Sequence, residues 1–287
     1  MVLQEYSEED VGNILLLEHV NLGVPDQGTA TLFYVVGLGL TRDPYLSVSV
    51  ENMWINAGEQ QFHLPTRAAQ VVPGHIGVVV PSLKLLEARL ESVRERLSGT
   101  GFGWTVKADH LEISCPWGNQ LRCYEPSPEF GSAILGIPYV ELRVRPGSAD
   151  GIARFYLEAL KAPATVYSEG GARVARVSVG CNQWLSFREW HGEIPPYDGH
   201  HIAIYIADFS GPYGFLKRRA KITEVRRHQF RFQEVLDPRS EETLLILEHE
   251  VRSLRHPMYR RFLINREPTQ IQRNYRRGRD SLNPFGF

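Results

Sequence analysis

The stretch LEHVNL at residues 17–22 returns three times along the chain, as GHIGVV at 74–79, PYVELR at 138–143 and HHIAIY at 200–205. Each copy predicts the first strand of a repeated unit. When the copies are aligned on the segments that begin at residues 19, 75, 139 and 201, three of them start with a histidine, namely His19, His75 and His201, whereas the third starts with Tyr139. The repeat therefore extends beyond one side chain and predicts four similar units, and the change at Tyr139 suggests that the units differ in chemistry.

The first unit predicts the order βαβββ. A strand at 19–24 is followed by Asp26, a residue type that often caps a helix, and then by apolar spacing at 30–34 that predicts a short helix. The glycines of the segment 37–40 are expected to end this helix and turn the chain. Three further strands are predicted at 40–43, 47–56 and 60–64.

The other units repeat this order. The second has a strand at 75–80, a helix at 83–97 and strands at 104–107, 110–114 and 120–124. The third has a strand at 140–144, a helix at 149–156 and strands at 164–167, 172–179 and 183–187. The fourth begins at His201 and has a helix at 212–218 and strands at 229–235 and 243–251. Because residues 127–136 are rich in Pro, Gly and Ser, we expect an N-terminal domain at 14–126 and a C-terminal domain at 137–253, each with two modules.

Composition limits the classes of function. The chain has 287 residues, a formal net charge of -1 and a pI near 6.8, which gives no electrostatic case for nucleic acid or membrane as the main partner. Its three cysteines are widely spaced, which argues against a disulfide scaffold or a cysteine zinc site. Neither a signal sequence nor a membrane span is predicted. We therefore expect a cytoplasmic monomer or homodimer that acts on a small molecule.

Residues 254–287 form a basic C-terminal extension, which includes the pair Arg260-Arg261 and the run RRGR at 276–279. Such a segment can bind phosphates, but it is more often a solvated extension or a strap over the protein's own acidic surface. The second interpretation is preferred, and no function is assigned to the extension.

Three segments connect this chain with a known superfamily: the opening His19-Val20 with Phe33-Tyr34 and the turn GLGL at 37–40, the second opening GHI at 74–76, and the closing GNQLRCYEP at 118–126. These residues resemble the vicinal oxygen chelate superfamily, which includes glyoxalase I, extradiol dioxygenases and the fosfomycin- and bleomycin-resistance proteins. The resemblance covers most of residues 17–253. It implies an α+β fold of four βαβββ modules that form two paired, curved mixed β-sheets with helices outside. It also implies a divalent metal held by side chains on strands.

In this superfamily the ligands come from the first and last strands of paired modules. The corresponding positions of the four units hold His19 and His63, His75 and Arg122, Tyr139 and Leu185, and His201 and Glu248. Guanidinium and leucine side chains cannot ligate a metal. If neighbouring units pair, as in extradiol dioxygenases, neither site has the two-histidine, one-carboxylate pattern.

If the first unit pairs with the fourth, as in swapped glyoxalase-like arrangements, one cavity holds His19, His201 and Glu248. This arrangement is preferred, and it predicts a metal at these three residues and a degenerate second cavity. Fe(II) is the favoured ion, with Mn(II), Zn(II) and Ni(II) as alternatives. The competing interpretation is that these three polar side chains bind no metal and form hydrogen bonds to one another or to water.

His63 is predicted to be the catalytic residue, as a proton shuttle or a fourth ligand, although it could instead only line the pocket. Tyr205 and Glu250 are predicted to lie at the substrate pocket, and Glu250 is also an alternative ligand. Alternation along the strand turns His249 to the opposite face from Glu248 and Glu250.

The resemblance implies a metal-dependent enzyme that acts on a small oxygen-rich or aromatic substrate chelated to the metal, with a ring-cleaving dioxygenase as the first class. A glyoxalase-like lyase or isomerase is the alternative within enzymes. A metal-free small-molecule binding protein of the bleomycin-resistance type is the alternative outside them.

Overall fold

The computed structural model describes residues 9–43, 51–261 and 263, which form two open eight-stranded mixed sheets with a few helices. The first unit comprises β1 (Ile14–Asn21), α1 (Gln27–Ala30), β2 (Thr41–Arg42), β3 (Asn52–Ala57) and β4 (Gln60–Pro65). The second comprises β5 (Gly74–Val79), α2 (Leu83–Val93), β6 (Gly103–Val106), β7 (His110–Ser114) and β8 (Gln120–Tyr124). The third comprises β9 (Gly136–Val144), α3 (Ala149–Ala159), β10 (Ala164–Glu169), β11 (Ala172–Gly180) and β12 (Gln183–Glu189). The fourth comprises β13 (His201–Ile206), α4 (Ser210–Arg218), β14 (Ile222–Arg226), β15 (Gln229–Leu236) and β16 (Thr243–Ser253).

The predicted order of elements is confirmed, with differences at the ends. Strand β1 begins earlier than predicted because Ile14 still pairs with the end of β13. Asp26 caps α1 by accepting a hydrogen bond from the backbone N–H of Thr29, and the chain continues as a π-helix over Thr31–Gly37. Strand β14 was not predicted. The predicted strand at 47–56 begins within residues 44–50, which lie outside the described residues.

The first sheet has the strand order β14-β15-β16-β13-β1-β4-β3-β2, so it joins the first and fourth units. Its central strands, β1 and β13, are antiparallel, with Asn21 opposite His201. Outside them, β4 is parallel to β1 and β16 is parallel to β13. The favoured of the two pairings is therefore the one found.

The second sheet joins the second and third units in the order β10-β11-β12-β9-β5-β8-β7-β6. The predicted halves, 14–126 and 137–253, therefore contribute strands to both sheets. Leu185 was assigned to the face of this sheet that carries Tyr139, and that assignment is wrong. Leu185 is fully buried in the main apolar core, whereas its neighbour Trp184 stacks on Tyr139 with ring centroids 5.2 Å apart.

The main apolar core lies on the sheet faces that carry the helices. Phe33 and Tyr34 of the first unit and Phe155 and Tyr156 of the third are buried there, as their matching positions in the repeat predicted. His249 belongs to this side, because its Nε2 lies 2.6 Å from the Tyr156 hydroxyl. Alternation along β16 consequently sends Glu248 and Glu250 to the opposite face, as predicted.

The described part of the C-terminal extension crosses the polar face of the first sheet. The Tyr259 ring lies 4.9 Å from that of Tyr205 on β13, and the buried guanidinium of Arg261 forms an ion pair with Asp43, which follows β2. We call residues 254–261 the strap. The predicted extension continues to residue 287, but residues 262 and 264–287 lie outside the described residues. Among the described helices, no span is long and apolar enough to cross a membrane.

Candidate metal centre

Three histidines from three strands meet on the polar face of the first sheet. His19 lies on β1, His63 on β4 and His201 on β13. One ring nitrogen from each lies within 4.8 Å of the others. Because β1 is flanked by β4 on one side and β13 on the other, residues far apart in sequence converge at the centre of the sheet.

His19 is oriented by the residue that precedes it. The register of β1 against β13 shifts between Leu17 and His19, as at a β-bulge, and the Glu18 carboxylate lies 2.6 Å from His19 Nδ1. A carboxylate only accepts, so Nδ1 carries the proton and the Nε2 lone pair is free to bind an ion. Nε2 is buried and has no hydrogen-bond partner among the described residues.

His63 is held by two neighbours. The Trp54 ring stacks on the His63 ring with centroids 3.9 Å apart and an angle of 12° between the planes. Asn21 Nδ2 lies 2.6 Å from His63 Nδ1. His63 Nε2 is buried and, like that of His19, has no hydrogen-bond partner among the described residues.

His63 and His201 are neutral at physiological pH. Burial lowers the pKa of His63 well below its usual value, and the charge of Arg252 adds to this effect. Burial also lowers the pKa of His201, and the charge of Arg231 adds to this effect. Metal binding requires neutral imidazoles, so the protonation state of both residues suits it.

Two carboxylates stand beside His201. Glu248 Oε1 lies 3.4 Å from His201 Nδ1, and Glu250 Oε2 lies 3.8 Å from His201 Nε2. Arg231 forms ion pairs with both carboxylates, and Gln233 donates to Glu248 at 3.1 Å. The structure thus brings the predicted ligands His19, His201 and Glu248 to one face, but Glu250 lies there as well.

The approximate twofold symmetry of the first sheet indicates which of the two carboxylates, Glu248 or Glu250, corresponds to His63. The register relates His19 to His201, since Cα of His19 faces Gln61 on β4 and that of His201 faces Glu248 on β16. Glu248 is thus the counterpart of Gln61, and Glu250 is the counterpart of His63. Because His63 is the member of its strand that reaches the histidine cluster, the symmetry favours Glu250 over Glu248 as the carboxylate nearest the centre.

Glu18 and Glu250 belong to a buried ion network that sequence reasoning missed. Arg252 Nη1 donates to Glu18 at 2.7 Å, and Arg252 Nε donates to Glu250 at 2.5 Å. Burial would raise the pKa of Glu18, but Arg252 and His19 outweigh it and lower the pKa to about 2. The predicted pocket residue Tyr205 is fully buried in this network, with its hydroxyl 3.3 Å from Arg252 Nη1. Its role at a substrate pocket stays a prediction.

The donor set fits a divalent ion of the predicted kind. His19 offers a lone pair on a buried nitrogen, and the carboxylate oxygens of Glu248 and Glu250 lie beside the His201 ring. Mixed imidazole and carboxylate sets suit Fe(II), Mn(II), Zn(II) and Ni(II). The residues present can therefore hold the metal that the resemblance implies.

The second sheet lacks such a centre among its described residues. His75 Nε2 lies 3.1 Å from the Tyr139 hydroxyl, which lies 2.9 Å from the Tyr124 hydroxyl. Phe130, from the linker between the halves, stacks on Trp184 over the same face. The degenerate second cavity stays a prediction.

Comparison with known proteins supports the fold. No protein-family model and no curated protein matches the chain. Glyoxalase I from Zea mays is similar in structure, with a TM-score of 0.57, 15% identity and coverage of 86% of this chain and 94% of that one. A protein of Bacillus subtilis subsp. subtilis str. 168, described as a candidate dioxygenase, has a TM-score of 0.54, 16% identity and coverage of 84% and 86%. With its two sheets of paired βαβββ units, the chain has the vicinal oxygen chelate fold that its sequence resembles.

Proposed function

We propose that the protein is a metal-dependent enzyme of the vicinal oxygen chelate type, with its single centre on the first sheet. The observation that carries the proposal is the convergence of His19, His63 and His201, in which two buried Nε2 atoms lack partners among the described residues. A buried polar atom without a partner is costly unless a ligand or water satisfies it. If the three histidines served packing alone, their unpaired buried nitrogens would destabilise the fold.

His19, His201 and Glu250 are the proposed ligands, with Glu250 replacing the earlier expectation of Glu248 on the symmetry argument above. When bound, a divalent ion acts as a Lewis acid that stabilises charge developing on two neighbouring oxygens of a substrate. Fe(II) is the proposed ion. A cytoplasmic location and a monomeric or homodimeric state are proposed with it.

The chain's own residues supply orientation and charge balance. Glu18 holds His19 so that Nε2 faces the centre, and Arg252 forms ion pairs with both Glu18 and Glu250. The strap lies over Tyr205, which is fully buried. His63 keeps its predicted role as the catalytic group, since it faces the same centre without serving as a ligand.

The proposed substrate is a small oxygen-rich or aromatic molecule, and ring cleavage by dioxygen is the first reaction to test because two histidines and one carboxylate leave open coordination positions. A glyoxalase-like lyase or isomerase is the alternative. Oxygen uptake by the Fe(II)-loaded protein with catechols, compared with isomerisation of hemithioacetals, would separate the two.

Metal content is the deciding measurement. Protein purified anaerobically without chelators, or reconstituted with Fe(II), should hold about one equivalent. His19→Ala, His201→Ala and Glu250→Gln should lose it. His75→Ala, a histidine at the matching position of the second sheet, should keep it, and Glu248→Gln should keep most of it.

Loss in Glu248→Gln but not in Glu250→Gln would restore Glu248 as the ligand. The absence of metal in every preparation, including reconstituted wild type, would overturn the proposal in favour of a metal-free binding protein.

A further inference from the structure

Arg67 fixes the orientation of the Asn21 side chain. The Arg67 guanidinium donates from Nη2 to Asn21 Oδ1 at 3.2 Å. Arg67 is itself anchored, because its backbone N–H donates to the carbonyl of Val24 at 3.1 Å. Its side chain lies across Gly23, where an added Cβ would come within 2.6 Å of Arg67 Cγ. Glycine at position 23 thus leaves the space in which the arginine reaches Asn21.

The arginine contact decides which end of the amide faces His63. A guanidinium has only donors, so the atom of Asn21 that it contacts must be the oxygen. The Asn21 NH₂ group then faces His63, where Nδ2 lies 2.6 Å from Nδ1. An amide NH₂ can only donate, so His63 Nδ1 must accept and cannot carry a proton.

In a neutral ring, the proton must then lie on the other nitrogen. His63 Nε2 is the buried atom that has no partner among the described residues and faces the histidine cluster. Trp54, stacked on the ring, opposes a rotation that would exchange the ring atoms. His63 therefore presents an N–H group to the centre, whereas His19, with its Nδ1 against Glu18, presents a lone pair.

We infer that Arg67 and Asn21 are positioning residues that hold His63 in the Nε2–H tautomer, so that His63 is a hydrogen-bond donor to a substrate oxygen and not a metal ligand. This inference rests on the proposed function for the identity of the acceptor, but the tautomer itself can be measured without metal or substrate. The partner of Nδ1 thus distinguishes His19 from His63, because it is a carboxylate for His19 and an amide NH₂ group for His63.

The tautomer can be read by nitrogen NMR of the full-length, metal-free protein labelled with ¹⁵N-histidine, because protonated and unprotonated ring nitrogens have well separated shifts. The His63 signals are assigned as those missing from His63→Gln. In the wild type, the proton should lie on Nε2. In Asn21→Asp, the carboxylate accepts from Nδ1, so the proton should move to Nδ1 while Arg67 gains an ion pair.

Arg67 variants test separately whether the contact from Arg67 to Asn21 fixes the tautomer of His63. Arg67→Met removes the donor that holds the Asn21 oxygen, so a signal of the Nδ1–H tautomer should appear. Arg67→Lys keeps a donor and should retain the wild-type tautomer. A variant that only loosened the fold would not move the proton from one nitrogen to the other.

Metal stoichiometry gives an independent readout. His63→Gln should retain about one equivalent of metal, and Asn21→Asp should bind it at least about 10-fold more tightly, since it frees a third imidazole lone pair and adds a negative charge. A wild-type proton on Nδ1, or an unchanged tautomer in Asn21→Asp, would overturn the inference and leave metal binding untouched. If no metal bound while the tautomers were as expected, the proposed function would be overturned, and with it the substrate oxygen as the acceptor for His63. The roles of Arg67 and Asn21 in positioning His63 would still stand.

Discussion

Glu18→Gln is the substitution that most directly tests how the site is built. Glu18 is nearly fully buried and contacts two buried groups, His19 Nδ1 at 2.6 Å and Arg252 Nη1 at 2.7 Å. Glutamine keeps the volume and one acceptor oxygen but removes the charge. Removing one partner of a buried ion pair costs about 3–5 kcal/mol. We expect about 3 kcal/mol in the free energy of unfolding, because Arg252 still has Glu250.

Glu18→Gln should weaken metal binding in the folded protein in addition to lowering the free energy of unfolding. Residues that orient a ligand through its other nitrogen typically contribute about 10–100-fold to metal affinity. Glu18→Gln should therefore weaken Fe(II) or Zn(II) binding by about that factor, measured by competition with a chromogenic chelator under conditions where the variant remains folded. Denaturant unfolding of the metal-free protein gives the stability term separately.

Glu141→Gln is the matched control on the second sheet. Glu141 also lies beside a histidine and an arginine, with His75 Nδ1 at 3.6 Å and Arg188 Nε at 3.0 Å. It should lose stability without any change in metal affinity. If Glu18→Gln bound metal within twofold of wild type, or if Glu141→Gln weakened binding equally, the reasoning about His19 would be refuted.

Three further predictions concern parts of the fold outside the centre. Burial lowers the pKa of His249 to about 4, so as pH drops from about 6.5 to 4 the unfolded state takes up a proton that the folded state does not, and stability falls. His249→Phe should reduce the slope of unfolding free energy against pH between 4.5 and 6 by about 1.4 kcal/mol per pH unit. An unchanged slope would show that His249 is already charged in the folded protein. Phe130→Ala should cost about 3–5 kcal/mol in chemical denaturation, since the ring is buried against Trp184, with metal content unchanged; a loss of metal would show that the two sheets are coupled. Tyr259→Ala should lower the unfolding free energy by about 1–3 kcal/mol and speed proteolytic cleavage within the strap, because the Tyr205 ring loses its aromatic neighbour; cleavage at the wild-type rate would mean that the strap is held elsewhere.

The repeated units could be predicted because their signal is local. Alternation, glycine turns and the Asp26 cap each depend on a few neighbouring residues, and the strands follow the predicted order. The face of Leu185 was mistaken because alignment of the units was off by one residue, and one residue in a strand exchanges the two faces.

The contacts that shape the site are not local. Alternation places Glu18 and His19 on opposite faces, and only the register shift in β1 brings them together. Arg252 lies just before the basic extension and had no predicted role, yet it is buried in β16 and forms an ion pair with Glu18, 234 positions away. No pattern of spacing predicts such a pair, because it depends on which units share a sheet.

The contrast between the two sheets is the physical basis for proposing a metal site on the first sheet alone. On the first sheet, the carboxylates of Glu18, Glu248 and Glu250 lie against the histidines, and each also forms an ion pair with Arg231 or Arg252. A divalent cation between the histidines would meet these carboxylates at a few ångströms, where opposite charges in a buried site interact far more strongly than in water.

On the second sheet the same position is closed by hydrogen bonding. Burial and then the charges of Arg122 and Arg188 lower the pKa of His75 to about 3, so its ring is neutral, as is that of His201. Its Nε2 is already engaged by the Tyr139 hydroxyl at 3.1 Å. A metal would have to displace that bond and approach two arginines, so restoring a site here needs more than a second carboxylate. Arg122→Glu alone should therefore leave the second sheet without metal, whereas uptake of a second equivalent by that variant would show that charge was the only barrier.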